Sequence, residues 1–171
     1  MDKYSEQILR EVLPGEKEIA PPAKSAKKMG KEPANLDHWT QAILLERAAY
    51  LRKLAKFGDG QASETLKEYP QHKTMLSFRS RNGEAELHEQ FADVFIVLAG
   101  QATLVTGGTV AGARTVGLGE IRGERVEGGV RQELRAGDVA HVPAGVPHQM
   151  LVAGDRTFTA FVVKVDESAT I

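Results

Sequence analysis

From about Thr74 onward the chain is a series of short runs of β-forming residues separated by turn residues, and this pattern constrains the fold more than any other feature. The runs read TMLSFRS, EAELHEQ, DVFIVLA, QATLVT and RTFTAFVVKV. They are rich in residues that favour strands, and no helical periodicity lies between them. The chain is therefore predicted to be all-β, with an antiparallel sandwich or barrel as its core.

Glycine marks the turns between these strands. Ten of the 17 glycines lie from Gly100 to Gly137, including the pairs Gly107-Gly108 and Gly128-Gly129. Glycine accepts the backbone conformations that tight turns require, so this stretch is predicted to form hairpins and loops. Among the strands, DVFIVLA is apolar on both faces. We expect its outer face to be covered, either by the partner of a homodimer or by a helix of this chain.

The first 34 residues have a different character. They mix charges of both signs with four prolines and show little apolar periodicity. Such a composition predicts an extended or disordered arm. We therefore divide the chain into an arm at 1–34, a helical N-terminal segment at 35–69 and the barrel at 70–168.

One helix is predicted in the N-terminal segment. It runs from Asn35, which has an N-cap side chain, to about Phe57, and Gly58 ends it. Its apolar residues fall on one stripe, which we interpret as packing against the core of the domain rather than as a lid or a partner surface. The stripe comprises Leu36, Trp39, Ile43, Tyr50, Leu54 and Phe57.

Composition excludes several classes of site and partner. The formal net charge of -1 gives no broad attraction to nucleic acid or to an anionic membrane. Because cysteine is absent, any metal must be held by His, Asp or Glu. The longest strongly apolar run, VFIVLA, is too short to span a bilayer. We expect a cytoplasmic protein with no nucleic-acid or membrane partner.

Four acidic and histidine side chains are candidates for a metal site. Glu86 and His88 lie two residues apart in a predicted strand and therefore project from the same face. Asp93 begins the next run, and His148 follows a turn rich in proline and glycine. If the strand faces the inside of a barrel, the four side chains can converge there. Two imidazoles and two carboxylates suit Mn²⁺, Fe²⁺, Ni²⁺ or Zn²⁺.

Residues 137–148 read GDVAHVPAGVPH and contain a spaced pattern. Gly137 is followed after five residues by Pro143, then by Gly145, and after two more residues by His148. This pattern resembles the second motif of the cupin superfamily, which is Gly, five residues, Pro-x-Gly, two residues, His.

The first cupin motif is also present, with two substitutions. In the family it runs His-x-His, three or four residues, Glu, six residues, Gly. Here Glu86-x-His88 is followed after four residues by Asp93 and after six more by Gly100. Ser80 stands where the family has an earlier glycine. The resemblance extends over roughly residues 70–165 and gives no information on the N-terminal third.

The cupin resemblance implies a fold and a cofactor. It implies a small antiparallel β-barrel of jelly-roll type, commonly dimeric, with a divalent metal bound inside by the motif residues. Glu86 replaces the first motif histidine, and Asp93 is one methylene shorter than the family glutamate. If Asp93 does not reach the metal, His88, His148 and Glu86 remain as a two-histidine, one-carboxylate triad with open coordination positions.

The same residues also allow readings without a metal. Glu86 can pair with an arginine such as Arg79, and the histidines can be hydrogen-bonded residues of the barrel. Three functions stay open: a metal-dependent enzyme of oxygenase or isomerase type on a small polar molecule, a non-catalytic binding or sensory module, and a metal-free structural barrel. Whether the chain is an enzyme is left open. The residues expected to line the pocket are Arg79, Phe95, Met150 and Phe161.

Overall fold

The computed structural model describes residues 36–168, which form one helix and 12 strands. The predicted arm at 1–34 and the predicted N-cap Asn35 lie outside the described residues. The elements are α1 Gln41–Ala55, β1 Gln61–Glu68, β2 His72–Arg79, β3 Ala85–His88, β4 Phe91–Thr106, β5 Thr109–Ala111, β6 Arg114–Gly117, β7 Glu120–Gly123, β8 Arg125–Glu127, β9 Val130–Arg135, β10 Val139–Val142, β11 His148–Leu151 and β12 Phe158–Asp166.

Two antiparallel sheets share the long strand β4 and curl into a barrel-type sheet. The first half of β4 pairs with β12 and β10, and β12 continues the sheet through β2 to β1. The second half of β4 pairs with β9 and β11, and β11 continues through β3 and β7 to β6. The predicted all-β class with an antiparallel barrel-type sheet is confirmed, and one helix precedes the sheet within residues 36–168.

Gly100 is the point at which β4 passes from one sheet to the other. Its neighbour Gln101 already pairs with Arg135 of the second sheet, whereas Gly100 pairs with Phe158 of the first. Its φ is 77°, and a Cβ atom there would lie 1.9 Å from the carbonyl oxygen of Thr157. Only glycine fits such a position, so this motif glycine is needed for the bend of the barrel.

The N-terminal segment contains a strand as well as the helix. Residues 61–68, predicted to belong to a helical segment, form β1 and pair with β2 in antiparallel register. Arg47 of α1 is buried, and its Nε donates to Glu64 Oε1 of β1 at 2.6 Å. Helix and strand are thereby attached to each other and to the edge of the first sheet.

The helix begins and ends inside the predicted limits, and this changes its buried face. Thr40 is the N-cap, with its side-chain oxygen accepting from the backbone N–H of Ile43. Leu36 and Phe57 lie outside the helix and are 54% and 48% exposed, so the predicted stripe is wrong at both ends. The interpretation as core packing is right, because α1 packs on β2 in a cluster of Leu44, Ala48, Tyr50, Leu51, Ala55, Leu76 and Phe78.

The first sheet separates two apolar clusters. One is the cluster beneath α1, and the other lies inside the barrel and includes Val97, Leu104, Met150 and Val162. Leu98 of β4 packs against the cluster beneath the helix, so α1 covers part of the outer face for which a covering element was expected. The homodimer stays a prediction. Within residues 36–168, no helix has the length and apolar character needed to cross a membrane.

Candidate metal centre

The four predicted ligands meet inside the barrel. Glu86 and His88 lie on β3, Asp93 lies on β4, and His148 is the first residue of β11. One potential ligand atom from each of the four lies within 4.8 Å of the other three. His88, Asp93 and His148 are buried, and Glu86 is partly exposed.

Both imidazole Nε2 atoms face the two carboxylates. His88 Nε2 is 3.2 Å from Asp93 Oδ2 and 3.3 Å from Glu86 Oε2. His148 Nε2 is 3.4 Å from Asp93 Oδ2 and 3.9 Å from Glu86 Oε2. The shorter Asp93 side chain therefore lies at least as near to the imidazoles as Glu86 does, and its length gives no reason to leave it out of the ligand set.

The PAGVPH turn places His148 opposite β3. Gly145 adopts a φ of 74°, in the left-handed region, and its N–H donates to the carbonyl oxygen of His88 at 2.7 Å. Pro147 accepts from the N–H of Gly107 at 2.8 Å. Directly after these two attachments, His148 pairs with Glu86 across the strands. Backbone hydrogen bonds of the turn thus hold the two motifs together without a bound ligand.

Each imidazole has its Nδ1 atom occupied outside the cluster. His88 Nδ1 lies 2.7 Å from Glu120 Oε2, and His148 Nδ1 lies 3.1 Å from the carbonyl oxygen of Val146. Because both partners are acceptors, Nδ1 carries the proton and Nε2 is directed into the cluster. Metal-binding histidines in proteins are commonly oriented in this way.

Three buried polar atoms of the cluster lack hydrogen-bond partners within residues 36–168. They are His88 Nε2, His148 Nε2 and Asp93 Oδ1. Asp93 Oδ1 does lie 3.1 Å from Lys164 Nζ, at ion-pair distance but without hydrogen-bond geometry. Buried polar atoms without partners are rare in folded proteins because each costs free energy. The two imidazole nitrogens, together with the neighbouring carboxylate oxygens Asp93 Oδ2 and Glu86 Oε2, are a donor set that a divalent cation satisfies.

Cations surround the two carboxylates. Glu86 Oε1 lies 3.4 Å from Arg79 Nη2, and Glu86 Oε2 lies 3.6 Å from Arg122 Nη1. Arg122 Nη1 is also 3.4 Å from Glu120 Oε2, and Lys164 is paired with Asp93. The predicted pairing of Arg79 with Glu86 is therefore present, and it coexists with the cluster because Glu86 directs its other oxygen toward the imidazoles.

The charges of the cluster are reflected in the pKa values. Burial raises the pKa of Glu86, but His88, Arg122 and Arg79 outweigh it and lower this pKa to about 2. Burial lowers the pKa of His88, but Asp93 and Glu86 outweigh it and raise this pKa to about 9. The pKa of Asp93 is lowered as well, because His148, His88 and Lys164 outweigh its burial. At neutral pH and without a metal, a proton on His88 thus takes the place of a cation between two ionised carboxylates.

A cavity of about 180 Å³ adjoins the cluster. Of the residues predicted to line a pocket, Arg79, Phe95 and Met150 do so. Phe161 does not, because alternate residues of β12 face opposite sides of the sheet. Ala160, Val162 and Lys164 face the cavity, whereas Phe161 packs outward, with its ring centroid 6.1 Å from that of Trp39.

Three charged residues of the site were not predicted, namely Glu120, Arg122 and Lys164. Each is the cross-strand neighbour of a predicted ligand. His88 pairs with Glu120 and Glu86 with Arg122 between β3 and β7, and Asp93 pairs with Lys164 between β4 and β12. The alternation Glu120-x-Arg122 opposite Glu86-x-His88 is visible in the sequence, but its use requires the strand register.

Comparison with known proteins gives similar structures and no sequence family. No family model and no curated protein match the sequence. An uncharacterized conserved protein with a double-stranded β-helix domain from Klebsiella pneumoniae is similar over 64% of this chain and 80% of its own, with 17% identity and a TM-score of 0.47. A Cupin 2 conserved barrel domain protein from Salinispora arenicola is similar over 64% of this chain and 78% of its own, with 19% identity and a TM-score of 0.44.

A third similar structure is a DMSP lyase from Ruegeria pomeroyi. The similarity covers 68% of this chain and 52% of the lyase, with 21% identity and a TM-score of 0.48. The chain therefore spans about half of the lyase's length. One of these solved structures is named a cupin barrel domain, the class that the two motifs resemble, and at such identities the likeness says nothing of chemistry. That Glu86 replaces a motif histidine stays an interpretation.

Proposed function

We propose that this barrel binds one divalent metal ion through Glu86, His88, Asp93 and His148 and acts as a metal-dependent enzyme of the oxygenase or isomerase type on a small polar molecule. The observation that carries the proposal is the convergence of two buried imidazole nitrogens, His88 Nε2 and His148 Nε2, which have no hydrogen-bond partners within residues 36–168 and face the carboxylate oxygens Asp93 Oδ2 and Glu86 Oε2. Without a ligand, a proton on His88 offsets part of the carboxylate charge, but no hydrogen bond within residues 36–168 compensates the burial of the two Nε2 atoms.

The surrounding residues would prepare the site for such an ion. Glu120 and the carbonyl oxygen of Val146 hold the two imidazoles with Nε2 inward. Arg79 holds Glu86 by the oxygen that faces away from the imidazoles, and Lys164 does the same for Asp93. All four ligands are thus restrained by an outer partner or by burial, which lowers the entropy lost on binding.

The donor set suits Fe²⁺, Mn²⁺, Ni²⁺ or Zn²⁺, and a bound ion of this kind supplies a Lewis acid or a redox centre. The chain itself supplies the cavity beside the cluster, in which apolar side chains limit access of water and Arg79, Arg122 and Lys164 present hydrogen-bond donors. Such a cavity suits a small molecule that carries at least one polar group.

One observation favours a second candidate, a metal-free binding or sensory barrel. Three cations, Arg79, Arg122 and Lys164, face three carboxylates, Glu86, Asp93 and Glu120. The formal charges of these six side chains cancel without a metal. In this alternative the ion pairs neutralise the carboxylates, and the cavity binds its ligand without turnover.

Elemental analysis of purified protein separates the two candidates. Wild type grown in metal-supplemented medium is expected to carry about one equivalent of Fe, Mn, Ni or Zn per chain, and His148→Ala is expected to lose most of it. The matched control is His141→Ala, which removes an exposed histidine of β10 outside the cluster. That variant is expected to keep the wild-type metal content.

Circular dichroism of both variants checks that the fold persists. If His148→Ala keeps the full metal content, the site assignment is wrong. If the wild type carries no metal after supplementation, the metal-free candidate replaces the proposal. Catalysis is tested separately, by NMR of small polar molecules incubated with metal-loaded and metal-stripped protein. Binding without chemical change in the loaded protein would support a non-catalytic module.

A further inference from the structure

The cavity beside the candidate metal centre is lined by an arginine pair, Arg79 and Arg122, on the side of Glu86. Both side chains are largely buried, at 18% and 24% exposure, and both contact the same carboxylate. Arg79 is held by Gln61, to whose side-chain oxygen its Nη1 donates. A Cβ atom at Gly83 would lie 2.5 Å from that same Nη1, so the guanidinium packs closely under the backbone. Arg79 is therefore fixed in position, and Arg122 lies beside it against the same carboxylate.

The Arg122 guanidinium has N–H groups that are available to a ligand. Within residues 36–168, its Nη1 donates a hydrogen bond to the carbonyl oxygen of Ile121 at 3.4 Å. Its Nε and Nη2 groups have no acceptor in that part of the chain. The ion pairs to Glu86 and Glu120 involve Nη1 alone, at 3.6 and 3.4 Å. Arginine donors lie in a planar fork that matches the two oxygens of a carboxylate.

The net charge of the metal-loaded site also favours an anionic ligand. Arg79, Arg122 and Lys164 balance the carboxylates of Glu86, Asp93 and Glu120, so a divalent ion gives the loaded site a formal charge of about +2, counting two neutral histidines. In a barrel interior such a charge is poorly screened and attracts anions strongly. A ligand with one or two negative charges offsets it.

The size of the cavity limits the ligand. Its volume is about 180 Å³, whereas a cavity of about 150 Å³ is large enough for benzene. A molecule of about six to eight non-hydrogen atoms therefore fits. Phe95, Met150 and Val162 supply apolar contacts to its carbon chain.

We propose that the ligand is a small organic acid, one of whose carboxylates is bound by the arginine pair Arg79 and Arg122 while a second oxygen-bearing group faces the metal cluster. This inference rests on the proposed function, because the net positive charge requires the bound ion. It names the class of substrate for that site, short-chain dicarboxylic and hydroxycarboxylic acids.

Calorimetry on zinc-loaded protein tests the inference, since zinc has no redox chemistry that would consume the ligand. The probes are malonate and succinate, with seven and eight non-hydrogen atoms, each compared with its uncharged diamide of equal size. At least one acid is expected to bind ten or more times more tightly than its diamide, because charged hydrogen bonds replace neutral ones. In Arg122→Gln the preferred acid is expected to bind at least about tenfold more weakly. Arg125→Gln, which removes an exposed arginine paired with Glu127 outside the cavity, is expected to bind it as wild type does.

Zinc content, measured on the same samples, separates the possible failures. If zinc loads fully and no acid binds better than its diamide, the inference is wrong and the metal proposal stands. If neither zinc nor any of the other proposed ions loads, the proposed function fails and the inference fails with it. If Arg122→Gln keeps its zinc and binds the acid as tightly as wild type, the arginine pair is not the carboxylate site. If Arg122→Gln loses its zinc, the inference is tested by the wild type alone, through the comparison of each acid with its diamide.

Discussion

The two faces of the first sheet differ, although they are built by alternate residues of the same strands. The face beneath α1, which we call the helix face, is apolar, and the face inside the barrel, the cavity face, carries charges beside its apolar core. Toward the helix lie Leu76, Phe78 and Phe161, and toward the cavity lie Ser77, Arg79 and Lys164. Neighbouring residues of one strand thus have different roles, because one packs beneath the helix and the next lies beside the candidate site.

This difference shows where folding and function are expected to separate. On the helix face, buried apolar side chains contact one another, so the free energy gained there is that of burial. The cavity face borders the metal cluster, where the buried Nε2 atoms of His88 and His148, on the second sheet, have no hydrogen-bond partner within residues 36–168 and are expected to be satisfied by a ligand. Changes on the helix face should alter the stability of the metal-free protein, and changes near the cluster should alter the added stability that metal provides.

Leu76→Ala should have the largest effect on stability. The side chain is fully buried beneath α1, and its loss removes apolar contacts and leaves a cavity, lowering the free energy of unfolding by about 2–5 kcal/mol. Denaturant unfolding of metal-free protein measures this loss. The increase in stability on adding metal should stay as in wild type. Loss of that increase together with an unchanged metal-free stability would contradict the separation of the two faces.

Asp93→Asn should remove most of the metal-dependent stabilisation. In wild type, metal at about 100 times its Kd should add about 2.7 kcal/mol to the free energy of unfolding. The amide loses the negative charge that faces both imidazoles, and metal affinity should fall by more than about 100-fold, beyond the range typical of outer partners. The shift in Tm with added metal measures this. A wild-type shift in Asp93→Asn would leave His88, His148 and Glu86 as the ligand set.

Glu120→Gln should have an intermediate effect, because Glu120 orients His88 without facing the cluster. Its loss as a charged acceptor for His88 Nδ1 should weaken metal binding by about 10- to 100-fold. Competition with a chelator measures the affinity. Glu124→Gln is the control, since Glu124 is exposed and paired only with Arg125 among its described ion-pair contacts. Equal affinities in the two variants would show that His88 is oriented by other means.

Phe161→Leu should have the smallest effect and tests its position on the helix face. The substitution removes the ring contact with Trp39 and should cost about 1 kcal/mol of stability. The metal-dependent shift and the binding of small acids should not change. Phe95→Leu is the matched variant on the cavity face, where the ring lies edge-on to His148. A change in acid binding in Phe161→Leu but not in Phe95→Leu would reverse the face assignment.

Much of the fold was predictable because its signals are local. The strand runs, the glycine-marked turns and the paired motif spacings each occupy a short stretch, and they predicted β2, β3, β4 and β12. The strand at 61–68 was missed because QASETLKE has no strong strand composition and is defined by pairing with β2. The helix was displaced because two apolar residues beyond its ends, Leu36 and Phe57, were counted in its stripe.

The candidate site was predictable only in part, because some of its residues have local signals and others depend on strand pairing. Glu86, His88, Asp93 and His148 were found through spacing within their own segments. Glu120, Arg122 and Lys164 face them from other strands, and their place depends on register across the sheet. Phe161 shows the converse, since the alternation with Ala160 and Val162 within β12 would have excluded it from the cavity.

Anomalous diffraction from crystals grown with Mn²⁺ would locate the bound ion. We expect one strong peak per chain between the Nε2 atoms of His88 and His148, within bonding distance of the Asp93 carboxylate, and we expect no such peak in crystals of His148→Ala. If saturating Mn²⁺ gives no peak at that position, or a peak only at exposed histidines such as His141, these four residues do not form a metal site.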